Sequence, residues 1–177
     1  LSLRKSGNLF KIYSIQKGRI YTNSVHDAAY LYKNYLLEGP SYQYRNSKNV
    51  HIKNNCVLKN GTPRLLKRFQ GKILSILSGG AAKKNYAHWL FDTLSRLIIF
   101  NKFYSIKKID YFLVPSYKLK FQIETLKYFD IESSRVIDSN YYRHIESEHI
   151  FATNHPFSHE FRKISPWILK ETRKIFL

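Results

Sequence analysis

From Gly71 onward the chain alternates two patterns, and this alternation constrains the fold more than any other feature. Short β-branched runs read as buried strands: Lys72–Leu77 (KILSIL), Ile109–Val114 (IDYFLV), Arg135–Asp138 and Glu148–Thr153 (EHIFAT). Stretches of helical period separate the first three. One runs from Ala81 to about Tyr104. The other is Tyr117–Phe129, with Leu119, Ile123, Leu126 and Phe129 spaced for one face. Pro115 stops the second strand, and Ser165-Pro166 opens a last helix over Trp167–Phe176. Strand and helix in turn, with short connections, predict a Rossmann-like α/β domain over residues 67–177. Its sheet is parallel, its crossovers are right-handed and helices flank it.

Residues 1–66 read as a small β-rich lead-in. Asn8–Thr22 alternates apolar and polar residues around Lys17-Gly18, the pattern of a β-hairpin. Residues 26–45 end at Gly39-Pro40 and give only a loop or short helix. A weak strand over Asn49–Leu58 closes at Asn60-Gly61.

The single cysteine, Cys56, excludes an internal disulfide framework and a thiolate zinc site. No apolar run approaches the ~18–20 residues of a membrane span, and no signal-peptide pattern opens the chain. The chain starts at Leu1 and contains no Met, which reads as a piece of a longer protein. His144, His149, His155 and His159 are close in sequence, but Pro156 interrupts the one helical spacing among them, so no metal site is assigned.

Thirty Lys and Arg against 12 Asp and Glu give +18 and a pI near 9.9. Such charge suits nucleic acid, an anionic membrane surface or phosphorylated substrates. The charge is spread evenly, and Lys, Asn, Ile and Tyr are plentiful together, as compositional bias alone produces. No zinc-finger spacing, RNA-binding aromatic signature or basic-region helix is present. A basic nucleic-acid module is therefore the runner-up, and an anionic-surface module without catalysis stands beside it.

Residues 78–100 (SGGAAKKNYAHWLFDTLSRLIIF) are the segment that could carry chemistry. At about 100° per residue, Tyr86, Ala87, Leu90, Phe91, Leu94, Leu97 and Ile98 gather on one side. Asn85, His88, Asp92 and Arg96 form a row on the other, with Trp89 beside it. The row is either the solvated face of a surface helix or the lining of a substrate cleft. Its position favours a cleft. It follows a strand and a turn containing Gly79 and Gly80, which let a ligand approach the backbone, and ligands in open α/β sheets sit at the carboxyl ends of strands. A His–Asp pair there can take a proton from a hydroxyl.

Asn85-Tyr86-Ala87-His88-Trp89-Leu90-Phe91-Asp92, continuing through Leu94, Arg96 and Leu97, resembles the N-Y-x-H-W-L-x-D-x-L-x-R-L signature of glycosyltransferase family 61, which includes capsular polysaccharide biosynthesis proteins. The resemblance implies one half of a two-domain GT-B arrangement. It implies inverting transfer of a sugar from a nucleotide-sugar donor to a glycan acceptor hydroxyl, in the cytoplasm or at the inner membrane face. No permanently bound cofactor is implied, and metal dependence is left open. Asp92 or His88 would be the base, Asp92 by preference with His88 orienting. Asn85, Gly79, Gly80, Trp89 and Arg96 would bind substrate, although Arg96 suits pairing with Asp92 better. The family continues past this point into a C-terminal donor domain. The chain ends at Leu177 before it, so the piece alone is expected to be inactive.

Overall fold

A computed structural model describes residues 2–5, 8–23, 27–41, 43–45, 48–78, 80–156 and 164–176. In chain order the strands and helices are β1 (Ser2–Lys5), β2 (Asn8–Thr22), β3 (Ala28–Tyr32), β4 (Tyr35–Leu36), α1 (Glu38–Ser41), β5 (Gln43–Arg45), β6 (Lys48–Val50), α2 (Cys56–Asn60), β7 (Lys67–Ser75), α3 (Tyr86–His88), α4 (Ser95–Asn101), β8 (Tyr111–Val114), α5 (Lys120–Lys127), β9 (Val136–Asp138), β10 (His144–Thr153) and α6 (Pro166–Phe176). A π-helical turn, Trp89–Leu94, joins α3 to α4 as one continuous helix.

One mixed sheet runs β4-β3-β2-β10-β7-β8-β9, with β1 on β2; β5 and β6 pair separately. The core strands β10, β7, β8 and β9 are parallel. The fold is thus α/β with helices flanking the sheet, as the alternation predicts. β2 pairs antiparallel with β10, so the lead-in strands join the same sheet. Tyr30 on β3 bonds Ser75 on β7 across the two intervening strands, hydroxyl to hydroxyl at 2.7 Å, so the sheet curls over. Among the described residues no helix is long and apolar enough to cross a membrane.

Strand alternation divides the core into two layers. Leu74, Phe112, Val114 and Phe151 face Leu94, Leu97, Ile99, Phe100, Leu126 and Ile168 of the helices. Ile73, Leu113, Ile137, Ile150 and Ala152 point the other way, onto Ile15, Ile20 and Tyr30 of the lead-in strands. Each fully buried Leu, Ile or Phe contributes about 1.5–3 kcal/mol.

Two expected elements differ. Asn8–Thr22 is one unbroken strand, not a hairpin. β10 pairs with it continuously from Ile12 to Tyr21, and that partner outweighs the local turn signal at Lys17-Gly18. Lys17 takes φ +49° where β2 picks up β3 as its neighbour. A Cβ on Gly18 would lie 2.7 Å from Ile15 Cγ2, so packing requires that glycine. Of Asn49–Leu58, only Asn49 and Val50 are strand, as the end of β6. Asn55 accepts the Val57 N–H and starts the short helix α2.

Gly71 marks a bulge in β7, where the register against β10 shifts by one residue. Its φ is +92°, and its N–H donates to Glu148 while the next N–H, Lys72's, donates to Asp110. Pro166 opens α6 as expected, but the Ser165 hydroxyl is buried without a partner and does not cap it.

Candidate functional site

The carboxyl ends of β7 and β10 lie side by side, with Ser75 opposite Ala152. From β7 the chain order runs one way through β8 and β9, while β10 lies on the opposite side. In open α/β sheets ligands usually sit beyond the carboxyl ends of the strands. The helix of residues 86–101 starts at this edge.

Asn85 begins the helix by accepting the His88 N–H at Oδ1, 3.2 Å. Asn85 is exposed. One turn on, His88 Nδ1 lies 2.7 Å from Asp92 Oδ2. The His88 side chain is 45% exposed and that of Asp92 only 7%. The second carboxylate oxygen, Asp92 Oδ1, is buried with no hydrogen-bond partner. Burial pushes the Asp92 carboxyl above its ordinary range, against the hydrogen bond and charge of His88 and the charge of Arg96.

Arg96 is buried one turn deeper. Its Nη1 donates to the Thr153 carbonyl (2.7 Å), the Thr153 hydroxyl (3.3 Å) and the Asn154 carbonyl (3.2 Å). Its Nε donates to the backbone carbonyl of Asp92 at 3.2 Å. The expected pairing with the Asp92 carboxylate is therefore replaced by bonds to the end of β10, and Asp92 feels Arg96 only through its charge. These bonds lock the helix to the strand end.

The row thus climbs from the sheet edge to the surface: Arg96 buried, Asp92 buried behind His88, His88 half-exposed, Asn85 exposed. Half of the row is therefore solvated and half buried. Trp89, expected beside the row as substrate contact, has no exposed surface. Its indole N–H donates to Thr125 Oγ1 at 2.8 Å, and it packs edge-on against Phe121. Tyr86, expected in the apolar face, is exposed. The π turn explains both shifts. At 3.6 residues per turn Trp89 and Leu94 would point about 140° apart, whereas a π turn stacks residues five apart, and both are fully buried. Such insertions recur at functional sites.

Gly80 starts a 3-10 turn, Gly80–Lys83. Gly79 lies outside the described residues. Among the described residues no cluster of His, Cys, Asp and Glu can hold a metal ion, and His159 lies outside them. The sequence reading missed Thr153, Asn154, Ser75 and Tyr30. Thr153 was nonetheless marked, as the last residue of a predicted parallel strand.

No protein-family model, no curated protein and no solved structure matches this chain.

Proposed function

We propose that this chain is the acceptor-side half of an inverting glycosyltransferase of GT-B build, with His88 and Asp92 as its proton-accepting pair. One observation carries the reading. A buried carboxylate with an orphaned oxygen holds a half-exposed imidazole at the point where the strand order reverses. With Nδ1–H donating to Asp92 Oδ2, the lone pair on His88 Nε2 is free for a hydroxyl proton. This geometry favours His88 as base and Asp92 as the group that orients it and stabilises the imidazolium.

In the step, the acceptor oxygen bonds to the anomeric carbon as its proton passes to Nε2. The bond from that carbon to the donor phosphate breaks, and the nucleoside diphosphate leaves with the electron pair. The resemblance to family 61 supplies the donor class, a nucleotide-sugar held by a second domain, and a role in capsular or surface polysaccharide synthesis at the inner membrane face.

The test places His88→Ala and Asp92→Asn in the complete coding sequence. It follows nucleoside diphosphate release from a panel of nucleotide-sugars with capsule oligosaccharide as acceptor. Loss of the base lowers turnover by about 10²–10⁴-fold. Turnover near wild type in both variants removes the pair from the mechanism.

A further inference from the structure

The connections leaving β7, β8 and β9 carry Lys83, Lys118 and Arg143 respectively, and the charges of Lys118 and Arg143 both reach Lys83. Lys83 is half-buried, and its Nζ donates to Asn140 Oδ1 at 2.6 Å. Lys118 Nζ stands 5.2 Å over the exposed Tyr141 ring.

The surroundings hold these groups in place. The fully buried Gln122 accepts the N–H groups of Lys118 and Leu119 at Oε1 (both 3.0 Å). Through Nε2 it donates to the carbonyls of Ala82 (3.4 Å) and Lys83 (3.0 Å). One side chain thus ties the Lys83 and Lys118 backbones together. Asp138, whose charge acts on Lys83, is already engaged. Oδ2 accepts the Tyr117 N–H, and Oδ1 accepts both the N–H and the side-chain amide of Asn140.

Among the described residues none of the three cations makes an ion pair. Burial, followed by the charge of Arg143, pushes the Lys83 ammonium below its ordinary range; Asp138 opposes this and Lys118 adds to it. Three mutually repelling positive charges, against one carboxylate already bonded to N–H groups, lack a full counter-charge. Connections leaving the carboxyl ends of parallel strands are where ligands bind in such sheets.

We propose that Lys83, Lys118 and Arg143 form a binding site for a phosphate-bearing small molecule, with Asn140 holding the Lys83 ammonium in place. A compact anion with several oxygens meets donors arriving from three separate connections. A recessed lysine behind Asn140 suits a terminal phosphate better than the continuous backbone of a nucleic-acid duplex. The site stands independently of the His88–Asp92 reading.

Pyrophosphate is the probe, titrated into ¹⁵N-labelled protein and followed by amide shifts and calorimetry. Binding saturates, with the largest shifts at residues 83, 117–118 and 139–143. Lys83→Gln weakens it at least 10-fold, and Lys118→Gln and Arg143→Gln each weaken it several-fold. Lys107→Gln, in the connection that enters β8 from the opposite edge, stays within 2-fold. Near-UV circular dichroism checks that each variant is folded. UDP and geranyl diphosphate separate the sources: tighter binding of either identifies a nucleotide or a lipid, and equal binding identifies a site that reads the diphosphate alone, all three in support. Unsaturable shifts overturn the proposal, as does an equal loss in Lys107→Gln. So does duplex DNA that binds more tightly than pyrophosphate and is indifferent to Lys83→Gln.

Discussion

Arg96→Met tests whether the buried guanidinium fastens the motif helix to the sheet. The substitution keeps an apolar stem of similar reach and removes every donor. Four acceptor contacts go: the Thr153 carbonyl, the Thr153 hydroxyl, the Asn154 carbonyl and the Asp92 carbonyl. The Thr153 carbonyl, at 2.7 Å, is the strongest loss; the other three, at 3.2–3.3 Å, count less. Each carbonyl left buried and unbonded costs about 1–3 kcal/mol. Burying the methionine and no longer desolvating a cation offset part of this. The net expectation is a loss of about 2–4 kcal/mol, a large share of the ~5–15 kcal/mol that holds a domain together. With a urea slope of about 2 kcal/mol per molar, the midpoint falls by roughly 1–2 M. Urea unfolding followed by far-UV circular dichroism measures it. A loss below about 1 kcal/mol refutes the argument, because the strand-end carbonyls would then have found other donors at little cost.

The remaining predictions concern the same framework. Asp92→Asn removes a buried charge whose folded carboxyl holds its proton more tightly than the ordinary value of 3.8. The folded state therefore binds more protons than the unfolded one just above that value, and wild-type stability falls as pH rises through the window, by at most about 1.4 kcal/mol per pH unit. The variant is expected to gain stability relative to wild type between pH 4 and pH 8, read as the difference in Tm across that range; a constant difference contradicts it. Gly71→Ala places a Cβ 2.9 Å from Asp110 Cγ at φ +92°, and is expected to cost about 1–3 kcal/mol in the same urea assay. Trp89→Phe loses the bond to Thr125 and leaves space in the core, for a loss of about 1–3 kcal/mol with intact secondary structure.

Elements whose signals are local were legible in the sequence. Tyr111–Val114 before Pro115 and the Pro166 helix start need only neighbouring residues, and both are present. Asn8–Thr22 was misread because its shape is decided by β10, more than 120 residues away, which no local pattern encodes. The row Asn85, His88, Asp92 and Arg96 was legible because the contacts within it follow three- and four-residue spacing. Its burial was not, since that depends on Arg96 reaching Thr153. The helix wheel assumed 3.6 residues per turn throughout, and the π turn rotated Trp89 into the core and Tyr86 out of it. Lys83-Lys84 read as a solvated pair, yet Lys83 is half-buried against Asn140 while Lys84 is exposed, a distinction made by the connection after β9.

Chemical rescue tests the role of His88 most directly. In the complete protein, His88→Ala should lose sugar transfer, and millimolar imidazole should restore part of it saturably, in proportion to the free base rather than the imidazolium. A His88→Ala protein that turns over at the wild-type rate without imidazole would show that the hydroxyl proton never passes through this side chain.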